Sequence, residues 1–180
     1  MLFGWGFGPA LYIMEKNLKH IRDSIRRYIF QIALEHDKPG VKIMDVAPES
    51  WSDTNDAFSV ADVTSIDIND KFNPDIVADL CQNNSDKIPS HTFDVVICTD
   101  VLEHTKQPFL AAKEIARVLK TGGIAYISTP FKFRLHNPLP DCWRFTEYGL
   151  MELFSDFELI EMTKVGEWLN PYHIRIVVKK

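Results

Sequence analysis

From residue 41 onward, short apolar runs rich in β-branched residues alternate with amphipathic stretches, and this alternation constrains the fold more than any other feature. Strands that alternate with helices build a mostly parallel sheet covered by helices on both faces. The last two runs follow one another with no helix between them, which predicts an antiparallel pair at the edge of the sheet. The predicted strands are 41–46, 63–68, 76–78, 93–99, 124–128, 158–165 and 173–178.

Two helical patterns in this part of the chain carry end signals. The pattern at 108–119 has Pro108 in its first turn and Gly122-Gly123 just past its end. A shorter helix is predicted at 146–154, where the Thr146 side chain is suited to cap the first turn.

The first 40 residues differ from the rest of the chain. After Pro9, apolar residues at three- and four-residue spacing predict an amphipathic helix that ends before Pro39-Gly40. The apolar, glycine-rich stretch 1–14 lacks the early positive charge of a secretory signal and is too short for a transmembrane segment. We therefore expect an apolar segment with a cap helix in residues 1–40 and one domain in residues 41–180. The apolar stretch would cover a site or form a homodimer contact.

Composition narrows the function classes. The chain has 180 residues, with 20 Lys and Arg against 25 Asp and Glu, so its formal net charge is −5. Hydrophobic residues make up 46%, which excludes global disorder, and an acidic excess without a basic block argues against a nucleic-acid binder. Cys81, Cys98 and Cys142 are odd in number and widely spaced, so they indicate neither a disulfide framework nor a zinc signature. We expect reduced thiols in a cytoplasmic protein and predict no metal site.

The ends of the predicted strands are acidic. In an open parallel sheet, ligands bind beyond the carboxyl ends of the strands, near the point where the strand order reverses. Asp67 ends the second strand, where a carboxylate commonly accepts both hydroxyls of a ribose, although a loop-capping role is the alternative. A nicotinamide-dependent oxidoreductase would share this arrangement, but the G-x-G-x-x-G turn it requires after the first strand is missing.

The segment 93–131 combines several features at a specific spacing. Phe93-Asp94 opens the fourth strand, a Val-Leu-Glu-His segment follows at 101–104, and a helix ending at 117–120 precedes Gly122-Gly123. In this combination the segment resembles the second half of a class I S-adenosylmethionine-dependent methyltransferase. The resemblance covers about residues 41–178. It implies an α/β, Rossmann-like fold with a seven-stranded, mostly parallel sheet and an antiparallel C-terminal edge strand, to which this chain adds the N-terminal amphipathic helix.

The resemblance also implies a function. S-adenosylmethionine would be the cofactor, and a methyl group would move to an O or N atom of a small metabolite or a sugar-linked substrate. The segment 136–146 is similar to that of a subgroup of small methyltransferases, many of them associated with glycan or small-metabolite pathways. The implied cofactor contacts are Asp45 at the methionine end, Asp67 and Ile68 at the ribose, Asp79 and Leu80 at the adenine, and Thr99 and Asp100 along the methionyl portion.

The first loop, residues 45–50, departs from the family pattern because it contains no glycine. Glycine is normal there because close approach of the backbone to a ligand excludes a Cβ. Ala47 adds only one methyl group, and Glu49 could reach the ammonium group of the cofactor. If the loop does not bind, the chain would be a non-catalytic methyltransferase-like domain that serves as a partner or regulator.

Three side chains are candidate general bases for a hydroxyl acceptor: His104 after the fourth strand, and His136 and Asp141 in the loop after the fifth. Each histidine has a structural alternative, since His104 could cap the following helix and His136 could bond to backbone. Trp143 and Arg144 could bind substrate by stacking and by guanidinium contact, or Arg144 could pair with Asp141 and hold the loop closed.

The sheet would use nearly all of residues 41–180 and leave residues 1–40 and the loop at 131–145 to form the substrate site. We therefore expect a shallow site that suits a small metabolite or an accessible group on a larger molecule, or one that a second subunit completes.

Overall fold

The structure is a computed structural model that describes residues 9–48 and 54–180. Every predicted strand and helix is present, with ends that differ by a few residues. The elements are α1 (Pro9–His36), β1 (Lys42–Val46), α2 (Thr54–Ala57), β2 (Asp62–Asp67), β3 (Ile76–Val77), β4 (Phe93–Thr99), α3 (Pro108–Val118), β5 (Leu119–Pro130), α4 (Glu147–Leu153), β6 (Glu158–Glu167) and β7 (Asn170–Lys179).

The strands form a single seven-stranded sheet in the order β3-β2-β1-β4-β5-β7-β6. Strands β1 to β5 are parallel to one another, whereas β7 is antiparallel to both β5 and β6. The predicted Rossmann-like, mostly parallel sheet is thus confirmed, and its antiparallel strand lies between β5 and the outermost strand β6. The strand order reverses between β1 and β4, so the fold places a ligand at the carboxyl ends of these two strands.

Alternate residues of the central strands face two separate cores. Ile43 belongs to the core in which Ile25 and Ile29 of α1 are buried, while the next residue, Met44, belongs to the core formed with Ile115 of α3. This alternation follows from the two-residue period of a strand, and both faces of the sheet are covered as the sequence predicts. Each large apolar side chain buried in this way stabilises the fold by about 1.5–3 kcal/mol.

The end signals in the sequence act mostly as expected. The Thr146 hydroxyl accepts a hydrogen bond from the Gly149 amide at 3.1 Å, which confirms the predicted cap of α4. Gly122-Gly123, however, was expected to form a turn after α3 and instead lies inside β5. The chain passes from α3 directly into the strand at Leu119, and the pairing register between β4 and β5 shifts near its start.

Within the described ranges 9–48 and 54–180, no helix combines the length and the apolar character that crossing a bilayer requires.

Candidate active site

The carboxyl end of β1 holds a buried carboxylate. Asp45 is only 3% exposed, and its Oδ2 has no hydrogen-bond partner among the described residues. Burial raises the pKa of this carboxyl to about 7, against a smaller opposing effect from the hydrogen bond with Thr54. Asp45 therefore presents an unsatisfied oxygen at the carboxyl edge of the sheet, the edge where the fold binds ligands.

Ala47 takes the conformation that a glycine would favour. Its φ of 51° lies in the left-handed region, and its amide donates to the carbonyl of Ile66 at 2.7 Å. The first loop thus keeps a glycine-like backbone without a glycine. Glu49, the other candidate contact of this loop, lies outside the described residues.

The aspartates after β2 and β3 each turn the chain. Asp67 is buried and accepts a hydrogen bond from the Asn69 amide at 2.7 Å through Oδ1, while its other oxygen has no partner among the described residues. Asp79 accepts from the Cys81 amide at 2.8 Å in the same way. The loop-capping role considered for Asp67 is therefore real, but it occupies one carboxylate oxygen and leaves the second for a ligand. Of their chain neighbours, Ile68 is exposed and Leu80 is buried.

Asp100 follows Thr99 at the end of β4 and is held from two other strands. Its φ is 55°, its Oδ1 accepts from the Ser128 hydroxyl at 2.9 Å, and its Oδ2 lies 3.1 Å from Nε2 of His173, outside hydrogen-bond alignment. Burial tends to raise the pKa of Asp100, but the facing charge of His173 and the Ser128 hydrogen bond outweigh it, so the pKa is lowered. Asp100 is therefore an ionised group with a fixed orientation.

His173 was missed by the sequence analysis. It is 1% exposed and lies on β7, where it pairs with Pro130 of β5. A histidine near the start of a C-terminal strand gives no signal of its own, because only the pairing register brings it beside β4.

A cluster of ionisable side chains lies after β4, in the turn Leu102–His104 and in the loop that follows β5. Nε2 of His104 is 3.2 Å from Nε2 of His136, and these atoms lie 3.7 and 3.8 Å from Oε1 of Glu103. His136 also contacts Asp141, whose Oδ2 lies 2.9 Å from its Nδ1. The structure thus brings together all three candidate bases and adds Glu103, which we call, with His104 and His136, the Glu-His-His cluster.

Glu103 is the most unusual member of this cluster. Its side chain is fully buried, and neither carboxylate oxygen has a hydrogen-bond partner among the described residues. Burial, together with the charge of Asp100, raises its pKa well above the usual value. Burial and the neighbouring His104 lower the pKa of His136. The sequence showed Glu103 only as a charged residue beside His104, because its burial comes from chain that lies some 35 to 40 residues further on.

That later segment is pinned over the cluster by backbone hydrogen bonds and an ion pair. The amides of Cys142 and Trp143 donate to the Glu103 carbonyl at 2.7 and 3.1 Å. Arg144 donates to both oxygens of Asp141, with Nη2 to Oδ2 at 2.8 Å, and it also donates to backbone carbonyls of the same loop. Of the two roles considered for Arg144, the structure shows the loop-closing pair.

Trp143 remains available at the surface of this loop. Its ring is 42% exposed and stacks on Phe145 with centroids 6.1 Å apart, while its indole N–H donates to the Thr105 carbonyl at 2.7 Å. A fixed, half-exposed aromatic face beside a group of bases is suited to stack on a planar or sugar ring.

One protein-family model matches part of this chain. A family model described as a methyltransferase domain matches residues 49–127, a range that runs from the first loop into β5. It includes the strand ends at Asp67, Asp79 and Asp100. No protein in a search of curated sequences matches the chain.

Several solved structures share the fold. A SAM dependent methyltransferase from Aquifex aeolicus has a TM-score of 0.61 and 15% identity, covering 88% of this chain and 97% of that one. The 1,6-didemethyltoxoflavin-N1-methyltransferase of Burkholderia thailandensis, with bound 1,6-didemethyltoxoflavin and S-adenosylhomocysteine, has a TM-score of 0.64 and 14% identity, covering 99% and 93%. The [4+2]-cyclase SpnF has a TM-score of 0.65 and 14% identity, covering 85% and 80%. At such identities the likeness shows the fold alone.

Proposed function

We propose that this chain, which carries a class I S-adenosylmethionine-dependent methyltransferase domain, methylates an oxygen or nitrogen atom of a small metabolite or a sugar-linked substrate. S-adenosylmethionine supplies an activated methyl group, so the protein has mainly to align the acceptor atom with it and to accept a proton. The solved N-methyltransferase with bound 1,6-didemethyltoxoflavin supports a small-molecule acceptor.

The carboxyl edge of the sheet fits this cofactor. Among the described residues, one buried oxygen of Asp45 has no partner and is suited to a cationic group, and one oxygen of Asp67 has no partner and is suited to a ribose hydroxyl. The left-handed backbone at Ala47 keeps the first loop in the form that a ligand can approach closely. We assign the cofactor to Asp45, Ala47, Glu49, Asp67, Ile68, Asp79, Leu80, Thr99 and Asp100.

The proposed site for the methyl acceptor rests on one observation, which is that the imidazoles of His104 and His136 lie side by side near Asp100. His104 lies in the turn Leu102–His104, just after Asp100 at the end of β4, so the histidine pair adjoins the place assigned to the methionyl portion. Nε2 of His104 and Nε2 of His136, 3.2 Å apart, can accept the proton that a hydroxyl or ammonium acceptor loses. Asp141 holds the His136 ring and is a positioning group in this proposal.

The substrate would lie under the loop at 131–145. Trp143 would stack on it, and Arg144 would shape the site by holding the loop, with substrate contact as a second role. We further propose a cytoplasmic location, a substrate that is not a nucleic acid, and a homodimer contact through the N-terminal segment. The charge of −5 and the three free cysteines support the first two of these proposals.

A non-catalytic, methyltransferase-like partner or regulator is the second candidate. The observation that favours it is the first loop, where a non-glycine residue occupies a left-handed position. The two candidates differ in cofactor binding.

Calorimetric titration with S-adenosylmethionine and S-adenosylhomocysteine separates them. The proposed enzyme binds both with one site per chain, and Asp67→Ala weakens both, whereas a folded chain that binds neither contradicts the proposal. Mass spectrometry of hydroxyl- and amine-bearing metabolites and nucleotide sugars, incubated with chain and cofactor, should then show an acceptor that gains the mass of one CH₂ group. His104→Ala and His136→Ala should lower kcat for that acceptor while leaving the Kd for S-adenosylhomocysteine unchanged.

A further inference from the structure

Two imidazole nitrogens and one carboxyl oxygen converge in the Glu-His-His cluster. Nδ1 of His104 lies 3.1 Å from the Pro140 carbonyl oxygen, and Nδ1 of His136 lies 2.9 Å from Oδ2 of Asp141. A carbonyl oxygen can only accept, and Arg144 already donates to both oxygens of Asp141, so each Nδ1 must carry the hydrogen. In a neutral imidazole Nε2 then has a lone pair, and the two Nε2 atoms are 3.2 Å apart.

Glu103 adds a buried carboxyl group to this arrangement. Its side chain is 0% exposed and both of its oxygens lack hydrogen-bond partners among the described residues. A buried carboxylate without a hydrogen bond is unfavourable, and proteins avoid it by protonating the group, by pairing it or by using it to coordinate a metal ion. Nε2 of His104 and Nε2 of His136 lie 3.7 and 3.8 Å from its Oε1.

The spacing of the three atoms matches the ligand spacing around a transition metal. For atoms separated by 3.2, 3.7 and 3.8 Å, the point equidistant from all three lies about 2.1 Å from each. Zinc is bound by histidine nitrogen and carboxylate oxygen at about 2.0–2.2 Å. The three atoms can therefore coordinate one ion with little movement of the side chains.

We propose that Glu103, His104 and His136 form a binding site for one divalent transition-metal cation of the Zn²⁺ type, with further coordination positions open. Imidazole donors suit Zn²⁺ and its first-row neighbours, whereas Mg²⁺ and Ca²⁺ prefer oxygen ligands. The outer contacts fit as well, because ligating histidines usually donate their second N–H to a carboxylate or a carbonyl. Asp141 and Pro140 provide these acceptors for His136 and His104.

A cation at this point would change how an acceptor loses its proton. A bound divalent ion lowers the pKa of a hydroxyl that coordinates it, so the acceptor would ionise without protonating an imidazole. The metal site itself rests on the cluster geometry and not on methyl transfer. This proposal also differs from the sequence-based prediction, in which the number and spacing of the cysteines indicated no metal site.

The test is metal titration of the chelator-treated full chain. Zn²⁺ is measured by calorimetry and by elemental analysis after gel filtration, and Co²⁺ by its visible absorption, which reports nitrogen and oxygen ligation. We expect one equivalent bound per chain. His136→Ala and Glu103→Gln should each weaken binding at least about tenfold, as should the outer-contact variant Asp141→Asn. His91→Asn, which removes an exposed histidine outside the cluster, should leave the Kd unchanged.

Two results would overturn the proposal: no stoichiometric binding to folded chain, or stoichiometric binding that survives both His136→Ala and Glu103→Gln. The first means that the two imidazoles share a proton instead, and the second places the metal elsewhere. Circular dichroism of each variant establishes folding, and Glu103→Gln keeps the shape of the side chain if His136→Ala disturbs the loop. S-adenosylhomocysteine binding, measured on the same samples, keeps the outcome separate from that of the proposed function.

Discussion

Asp45 provides a direct test of the buried edge of the sheet. Its carboxyl is 3% exposed, keeps one oxygen without a partner among the described residues, and has its pKa raised by burial to about 7 from 3.8. Asp45→Asn replaces it with a neutral group of the same shape. We expect this variant to be more stable than the wild type at pH 8 and to lose most of that advantage at pH 5.

The magnitude follows from the shift of the pKa. Because the folded state binds the Asp45 proton more tightly than the unfolded state, the associated stability is complete below the unfolded pKa and disappears as pH rises through the folded one. The difference of about 3 units corresponds to about 4 kcal/mol, at about 1.4 kcal/mol per unit. The window is therefore pH 4 to 7, and about two thirds of the effect falls between pH 5 and pH 8. Asparagine does not titrate, so the variant lacks this contribution to the pH dependence.

Urea denaturation at pH 5, 6, 7 and 8 measures the free energy of unfolding, and a constant m-value confirms that the states compared are the same. The diagnostic quantity is the change with pH of the difference between variant and wild type. Glu103, whose pKa is also raised by burial and by the charge of Asp100, is present in both the variant and the wild type. Its contribution to the pH dependence therefore cancels in the difference between them. Asp62→Asn, at an exposed carboxyl on β2, is the matched control and should follow the wild-type profile. A difference that stays constant from pH 5 to 8 for Asp45→Asn would refute the reasoning.

Three other substitutions test separate parts of the structure. Asp67→Ala should weaken S-adenosylhomocysteine binding, measured by calorimetry, by about 1.5–3 kcal/mol, which is the range for a hydrogen bond to a charged group. The exposed control Asp70→Ala should leave the affinity unchanged. If Asp67→Ala binds as tightly as the wild type, Asp67 does not hold the ribose. Arg144→Lys breaks the two-pronged contact with Asp141, so amide hydrogen exchange should speed up in the loop at 131–145, and an unchanged rate would show that the pair does not hold it. Ile115→Ala empties a fully buried site on α3 and should lower the free energy of unfolding by about 2–5 kcal/mol in urea denaturation; a loss below about 1 kcal/mol would contradict the packing described.

Local patterns in the sequence were enough to place the elements. The strand predicted at 93–99 is β4 as observed, and the helix that ends before Pro39-Gly40 does so at His36. Thr146 caps α4 because a hydroxyl three residues before an amide can bond to it whatever the rest of the chain does. Gly122-Gly123 was misplaced because β5 begins at Leu119, earlier than its apolar run, and both glycines fall in the register shift between the pairs Phe93–Leu119 and Val95–Ile124.

The candidate site was predicted in part. The acidic strand ends follow from topology, since the carboxyl ends of parallel strands meet at one edge. The missing glycine of the first loop was visible in the sequence, but only the structure shows that Ala47 adopts the left-handed conformation in its place. A single residue type constrains φ weakly, and the fixed positions of β1 and β2 decide it here.

By itself, then, the sequence determined the sheet, its two covered faces and the ligand-binding edge, because hydrophobic period and end signals act over a few residues. The tertiary structure decided the chemistry at that edge. His173 reaches Asp100 through the pairing of β7 with β5, and the buried Glu103 accepts backbone hydrogen bonds from the amides of Cys142 and Trp143, about 40 residues further along the chain. Burial and proximity depend on residues that are distant in the chain. Both are needed to bring Glu103, His104 and His136 together as a candidate site, and neither can be inferred from the sequence around each residue.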